Sequence, residues 1–182
     1  PSEFDYFYAD LQMSPDNKHF LSKGWSWGSS DSFYVFNIED FVGNKRIKTI
    51  DVGNWEHDSR AACWIDTNEI IVCCNAIIEE FDNADENNPL EIVHYQLIGE
   101  KFEQTKRTKV PEVADTNWEF HYHTSLKVVI SYSKDANGLL IFDLDGNTIL
   151  KNNQYKIDSF NLKNMTFSTV ENKKLHLFKI AI

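Results

Sequence analysis

The most constraining feature of this sequence is a strand pattern that returns at intervals of roughly fifty residues. Tyr34-Val35-Phe36-Asn37-Ile38, Val93-His94-Tyr95-Gln96-Leu97 and Leu140-Ile141-Phe142-Asp143-Leu144 each carry an aromatic ring at the centre, an amide or acid next, and a branched aliphatic last. A hairpin precedes each one, turning near Asp16, Thr67 and Ser125, with strands expected at 61–65 into 70–75 and at 118–122 into 127–131. A fourth hairpin, 164–170 into 175–180, turns at Glu171-Asn172-Lys173. Less apolar stretches with basic residues follow the third strands, at 46–52, 102–110 and 148–157, as expected of outer edges that must resist sheet-to-sheet association. Four strands per unit in a repeating chain predict an all-β fold of β-propeller-type blades rather than a sandwich or barrel.

The expected blades are 6–52, 60–110, 117–157 and 162–182, about three and a half in a single propeller-like domain. That half-blade has three readings. The chain is the C-terminal part of a longer propeller, residues 1–5 and the chain end complete a fourth blade together, or a partner covers the open edges.

Turn chemistry supports the strand assignment. In Ser14-Pro15-Asp16-Asn17-Lys18, Pro15 presets φ and cannot donate to a central ladder, while Asp16 and Asn17 tolerate a tight reversal. Asp143-Leu144-Asp145-Gly146-Asn147 predicts a primed hairpin turn. Helical signal is confined to 38–43 and 79–88, both rich in turn formers.

The run Ser14-Pro15-Asp16-Asn17-Lys18-His19-Phe20-Leu21-Ser22 resembles the Ser-Pro-Asp-Gly-Lys hairpin of WD40-like and YVTN-like bacterial β-propeller repeat proteins. Val35-Phe36-Asn37-Ile38 and Ile141-Phe142-Asp143-Leu144-Asp145-Gly146-Asn147 are similar to their third strand and the turn into the fourth. The hairpin motif occurs once, Asn17 stands where glycine is usual, and the Gly-His and Trp-Asp pairs of WD40 repeats are missing. Such a resemblance implies scaffolding or binding more than any one chemistry.

A net charge of −10 argues against nucleic acid, whose binding is driven by Lys and Arg releasing counterions, and admits a basic partner. The most apolar run, 70–78, is interrupted by Asn75 and falls far short of the roughly 20 residues a membrane helix needs, so no membrane partner is expected. Of three cysteines, Cys63 is expected opposite Val72 rather than Cys73, with a slip of one residue left open, while Cys73 and Cys74 point to opposite faces. Free thiols lean towards a reducing, cytoplasmic setting or a bacterial protein that does not depend on bridges. Pro1 at the start leaves a processed, secreted form open.

Two loops carry the expected recognition surface. Residues 24–31 hold Trp25 and Trp27, and residues 51–59 hold Trp55, Glu56, His57 and Asp58, a mixture of rings and acids suited to a cationic or peptide partner. The competing use of Trp25 and Trp27 is packing between neighbouring sheets. His121 and His123 alternate on one strand and are weak metal candidates, needing a third ligand such as His94, Glu119 or Cys63. The acidic loop 79–88 has oxygen ligands for Ca²⁺ without the EF-hand order. His57-Asp58-Ser59 holds triad residue types, but chain neighbours cannot all converge. Seven glycines form no phosphate cradle, so neither catalytic residues nor a cofactor are assigned. The sequence therefore reads as a non-enzymatic binding module for a protein or peptide. The alternatives are an enzyme or sensor domain with a site in the propeller channel, and a bacterial immunity or inhibitor protein.

Overall fold

Four antiparallel meanders succeed one another in a computed structural model that describes residues 6–26, 31–43, 49–52, 61–75, 90–110, 118–133 and 137–180. The first sheet contains β1 (Tyr6–Phe7), β2 (Gln12–Met13), β3 (His19–Ser26), β4 (Asp31–Asn37) and β5 (Thr49–Asp51), with the short helix α1 (Ile38–Val42) after β4. The second contains β6 (Ala62–Asp66), β7 (Glu69–Asn75), β8 (Leu90–Ile98) and β9 (Lys101–Val110). The third contains β10 (Trp118–His123), β11 (Val128–Ser133), β12 (Leu139–Asp143) and β13 (Thr148–Asn152). The fourth has three strands, β14 (Ser159–Asn161), β15 (Thr166–Glu171) and β16 (Lys174–Lys179). In every sheet the strands pair in chain order, β1 and β2 sharing β3 as their neighbour, which is the blade-type pattern that the repeat predicts. No helix among the described residues is long and apolar enough to cross a membrane.

Burial follows strand position. β11 is buried along its whole length, whereas β9, β13 and β16 are mostly exposed and each carries at least one lysine. A central strand with covered faces tolerates a continuous apolar run, while an outer strand needs charge.

The chain divides into two compact units, Pro1–Thr116 and Asn117–Ile182. In the first unit, Leu21, Phe33 and Val35 of the first sheet share a core with Trp64, Val72, Val93 and Tyr95 of the second. Gln12 donates its Nε2 to Ala62 O at 3.0 Å, and Trp64 Nε1 donates to Gln12 O at 3.1 Å, so hydrogen bonds join these sheets as well as packing. On the first sheet's other face, Phe20 stacks on Phe36 at 5.0 Å, and Phe41 of α1 meets Phe20 edge-on at 5.1 Å. Asn37 caps α1 by accepting from Asp40 N at 3.1 Å. In the second unit, Val128, Ile130, Tyr132 and Ile141 of the third sheet pack with Met165, Phe167 and Ile180 around the fourth.

The first reversal closes through Ser14. Its hydroxyl donates to Asp16 Oδ1 at 2.7 Å and accepts from His19 N at 3.0 Å, while Asn17 N returns to Ser14 O at 2.9 Å. That hydroxyl, with help from the Lys18 N–H, holds the Asp16 carboxyl below its ordinary pKa. Asn17 adopts φ 57°, which explains how it replaces the glycine of the related motif, since asparagine tolerates the left-handed region.

Several expectations are corrected. The strand before this turn is broken, because Asp10 sits at φ 44° and separates β1 from β2. Cys63 lies opposite Ile71, not Val72, because a bulge between Trp64 and Asp66 shifts the register by one residue. Cys63 and Cys73 are buried and free, and burial pushes the Cys63 thiol well above its ordinary pKa. The turn after β12 is not primed. Gly146 N returns to Asp143 O at 3.0 Å across Leu144 and Asp145, and Gly146 alone takes a positive φ, 83°. Asp143 Oδ1 fixes this loop by accepting from Asp145 N and Asn147 N, both at 2.9 Å. The stretch expected as one strand over 148–157 ends at Asn152, and β14 then opens the last sheet. The turn between β15 and β16 is the primed one, with Asn172 at φ 51° and Lys173 at φ 63°.

Candidate functional site

The expected recognition loops are placed only in part. The Trp25 backbone lies in β3, opposite Phe7 and Asp31. Its side chain, together with Trp27, Trp55, Glu56, His57, Asp58 and the acidic loop 79–88, lies outside the described residues.

His121 and His123 share a face of β10, but their rings are used separately. His121 lies flat on Tyr132, with centroids 5.6 Å apart and planes at 9°, and Phe160 approaches at 5.8 Å. Its Nε2 is 3.5 Å from Glu119 Oε2, and Tyr132 Oη donates to the same oxygen at 3.4 Å. His123 Nδ1 instead accepts from Leu126 N at 3.3 Å and so holds the hairpin turn. Among the described residues no three His, Cys, Asp or Glu side chains are grouped to hold a metal ion. His94 is buried on β8 with Nδ1 2.9 Å from Glu69 Oε1, while its Nε2 has no hydrogen-bond partner.

The Tyr132 phenol ionises well above its ordinary range, first because it is buried and second because the Glu119 carboxylate opposes a phenolate. A folded-state pKa above the unfolded value near 10 means that stability is kept below about pH 10 and falls as pH rises past it. Ultraviolet titration should therefore show one tyrosine resisting ionisation until the protein unfolds. Glu119→Gln should lower its pKa only partly, since burial is the larger cause. An ordinary titration of every tyrosine would contradict this assignment.

The second unit contains a cleft of about 440 Å³ that the sequence does not announce. Met165 and Ile180, both buried, and Leu126 from the turn after β10 supply its apolar lining. Lys163, Asn164, Thr166 and Lys179 supply the polar lining. Asn161 builds this corner, its Oδ1 accepting from Asn164 N at 3.1 Å to cap the 3-10 turn Leu162–Asn164. Met165 then takes the left-handed conformation, and Ile180 N donates to Met165 O at 2.8 Å.

From the cleft, a row of side chains runs along the outer face of the fourth sheet. The cross-strand pairs are Thr166 with Lys179, Ser168 with Leu177 and Val170 with Leu175. Phe167 and Phe178 point to the opposite, core side. Val170, Leu175 and Leu177 are 59%, 64% and 67% exposed. In sequence, the signal for this patch is Lys174-Leu175-His176-Leu177-Phe178-Lys179, which puts apolar groups on both faces of a strand that has one neighbour among the described residues.

No protein family matches the sequence, and neither does any curated protein. Among solved structures, the chain is similar to prolyl oligopeptidase B from Galerina marginata at 12% identity and a TM-score of 0.48, over 90% of this chain and 25% of that one. It is similar to the periplasmic gluconolactonase PpgL of Pseudomonas aeruginosa at 8% identity and a TM-score of 0.34, over 81% of this chain and 54% of that one. The chain thus spans about a quarter of the first protein and about half of the second. Both are propeller-type proteins, and at these identities no residue role passes from either.

Proposed function

We propose that this chain is a non-enzymatic recognition module for a protein or peptide, and that the outer face of the fourth sheet is its contact surface. The observation that supports this is the adjacent exposure of Val170, Leu175 and Leu177 on the hairpin of β15 and β16, the latter an edge strand among the described residues. Clustered exposed apolar groups on a soluble domain favour association, and an edge strand offers main-chain donors and acceptors to an incoming segment. The stretches 24–31 and 51–59, with Trp25, Trp27 and Trp55, are the second candidate surface, on their composition alone.

Selection of a displayed peptide library on the immobilised protein tests both. Enriched peptides should lose binding to a Leu175→Asp/Leu177→Asp variant and keep binding to Trp25→Ala/Trp55→Ala. The reverse pattern would transfer the role to the loops. Failure to enrich any peptide would count against recognition itself.

A further inference from the structure

Deepening that reading, and resting on it, we infer that the partner is an extended acidic peptide that places a carboxylate in the cleft between Lys163 and Lys179. The argument begins with charge. Among the described residues Lys163 and Lys179, like Lys101, Lys109, Lys173 and Lys174, have no acidic partner, but these two alone line the cleft. In a chain of net charge −10, two unpaired ammoniums line one concavity. A carboxylate entering this concavity gains charge-assisted hydrogen bonds. Asn164 adds a carboxamide at the same rim.

The rest of the surface defines the peptide around that acid. Met165, Ile180 and Leu126 add apolar lining beside the lysines, so the cleft offers contact to the methylene stem of a glutamate as well as partners for its head. Lys179 starts the outward row that continues through Leu177 to Leu175. A peptide added along β16 repeats every second residue on one face, so residues alternating with the acid's neighbours meet these leucines. The occupant is therefore a strand-forming segment with a glutamate at one end and aliphatic side chains at alternate positions. The overall negative charge would suggest a basic ligand; the local arrangement of cations reverses that preference at this site.

Fluorescence anisotropy tests the inference with a labelled peptide carrying glutamate at its first position and leucine at its third and fifth, with threonines between, and a second with glutamine for that glutamate. The wild-type protein should bind the glutamate peptide roughly five- to tenfold more tightly, the scale of two partly solvent-screened ion pairs. Lys163→Gln/Lys179→Gln should abolish that preference, and Lys163→Arg/Lys179→Arg should retain it. Equal affinity of the wild type for both peptides, or a preference that survives the glutamine substitutions, would overturn the inference. Should library peptides bind at Leu175 and Leu177 without any such acid preference, this inference fails and the recognition module stands. If no peptide binds, both fail.

Discussion

Trp64→Ala should destabilise the first unit by about 3–5 kcal/mol, the usual loss when a large aromatic is removed from a core. Trp64 is 6% exposed, meets Phe102 edge-on at 6.1 Å, and donates its indole N–H to Gln12 O across the two sheets. Truncation opens a cavity between sheets and leaves a carbonyl without its donor. Trp64→Phe separates these effects, because most of the ring volume remains while the hydrogen bond goes. Its cost should be nearer 1–2 kcal/mol, roughly one buried hydrogen bond plus imperfect packing. Urea unfolding followed by tryptophan fluorescence and far-ultraviolet circular dichroism measures both. A loss below about 1 kcal/mol for the alanine variant would show that the two sheets do not depend on this contact.

The second large effect is expected at Phe167, and it is the mirror of a small one. Phe167 is 5% exposed, stacks on Phe178 at 5.2 Å and lies 6.1 Å from Tyr155 in the core shared with the third sheet. Phe167→Ala should cost about 3–5 kcal/mol. Leu177→Ala, on the other side of the same hairpin, should stay within about 0.5 kcal/mol, because a side chain already in water has little burial to lose. Calorimetric melting of the two variants checks the pair. Similar losses at both positions would mean that the outer face is covered in solution, and would remove the basis for reading it as a contact surface.

Much of the fold was legible because strand and turn signals are local. Tyr34-Val35-Phe36, Val93-His94-Tyr95 and Leu140-Ile141-Phe142 all lie in strands, and Asn172 and Lys173 make the reversal expected of them. Register was less legible, since one residue decides it. The bulge between Trp64 and Asp66 shifts the pairing by one residue, and nothing in Cys63-Trp64-Ile65-Asp66 encodes that locally. Asp10 likewise breaks an apparently continuous strand through its own backbone conformation. The candidate cleft was illegible for another reason: Leu126, Lys163 and Lys179 come from a hairpin turn, a 3-10 turn and a strand end, and only packing brings them together. Histidine spacing was legible only as a shared face. Alternation correctly placed His121 and His123 on one face, but stacking on Tyr132 and a bond to Leu126 N use their rings separately.

The exposed last hairpin also carries a liability. Leu175 and Leu177 lie on a strand whose outer backbone edge has no neighbour among the described residues, the combination from which fibrils grow. Lys173, Lys174 and Lys179 bracket that segment as gatekeepers. Acylation of these amines would then govern the colloidal fate of the chain while leaving its folded core untouched.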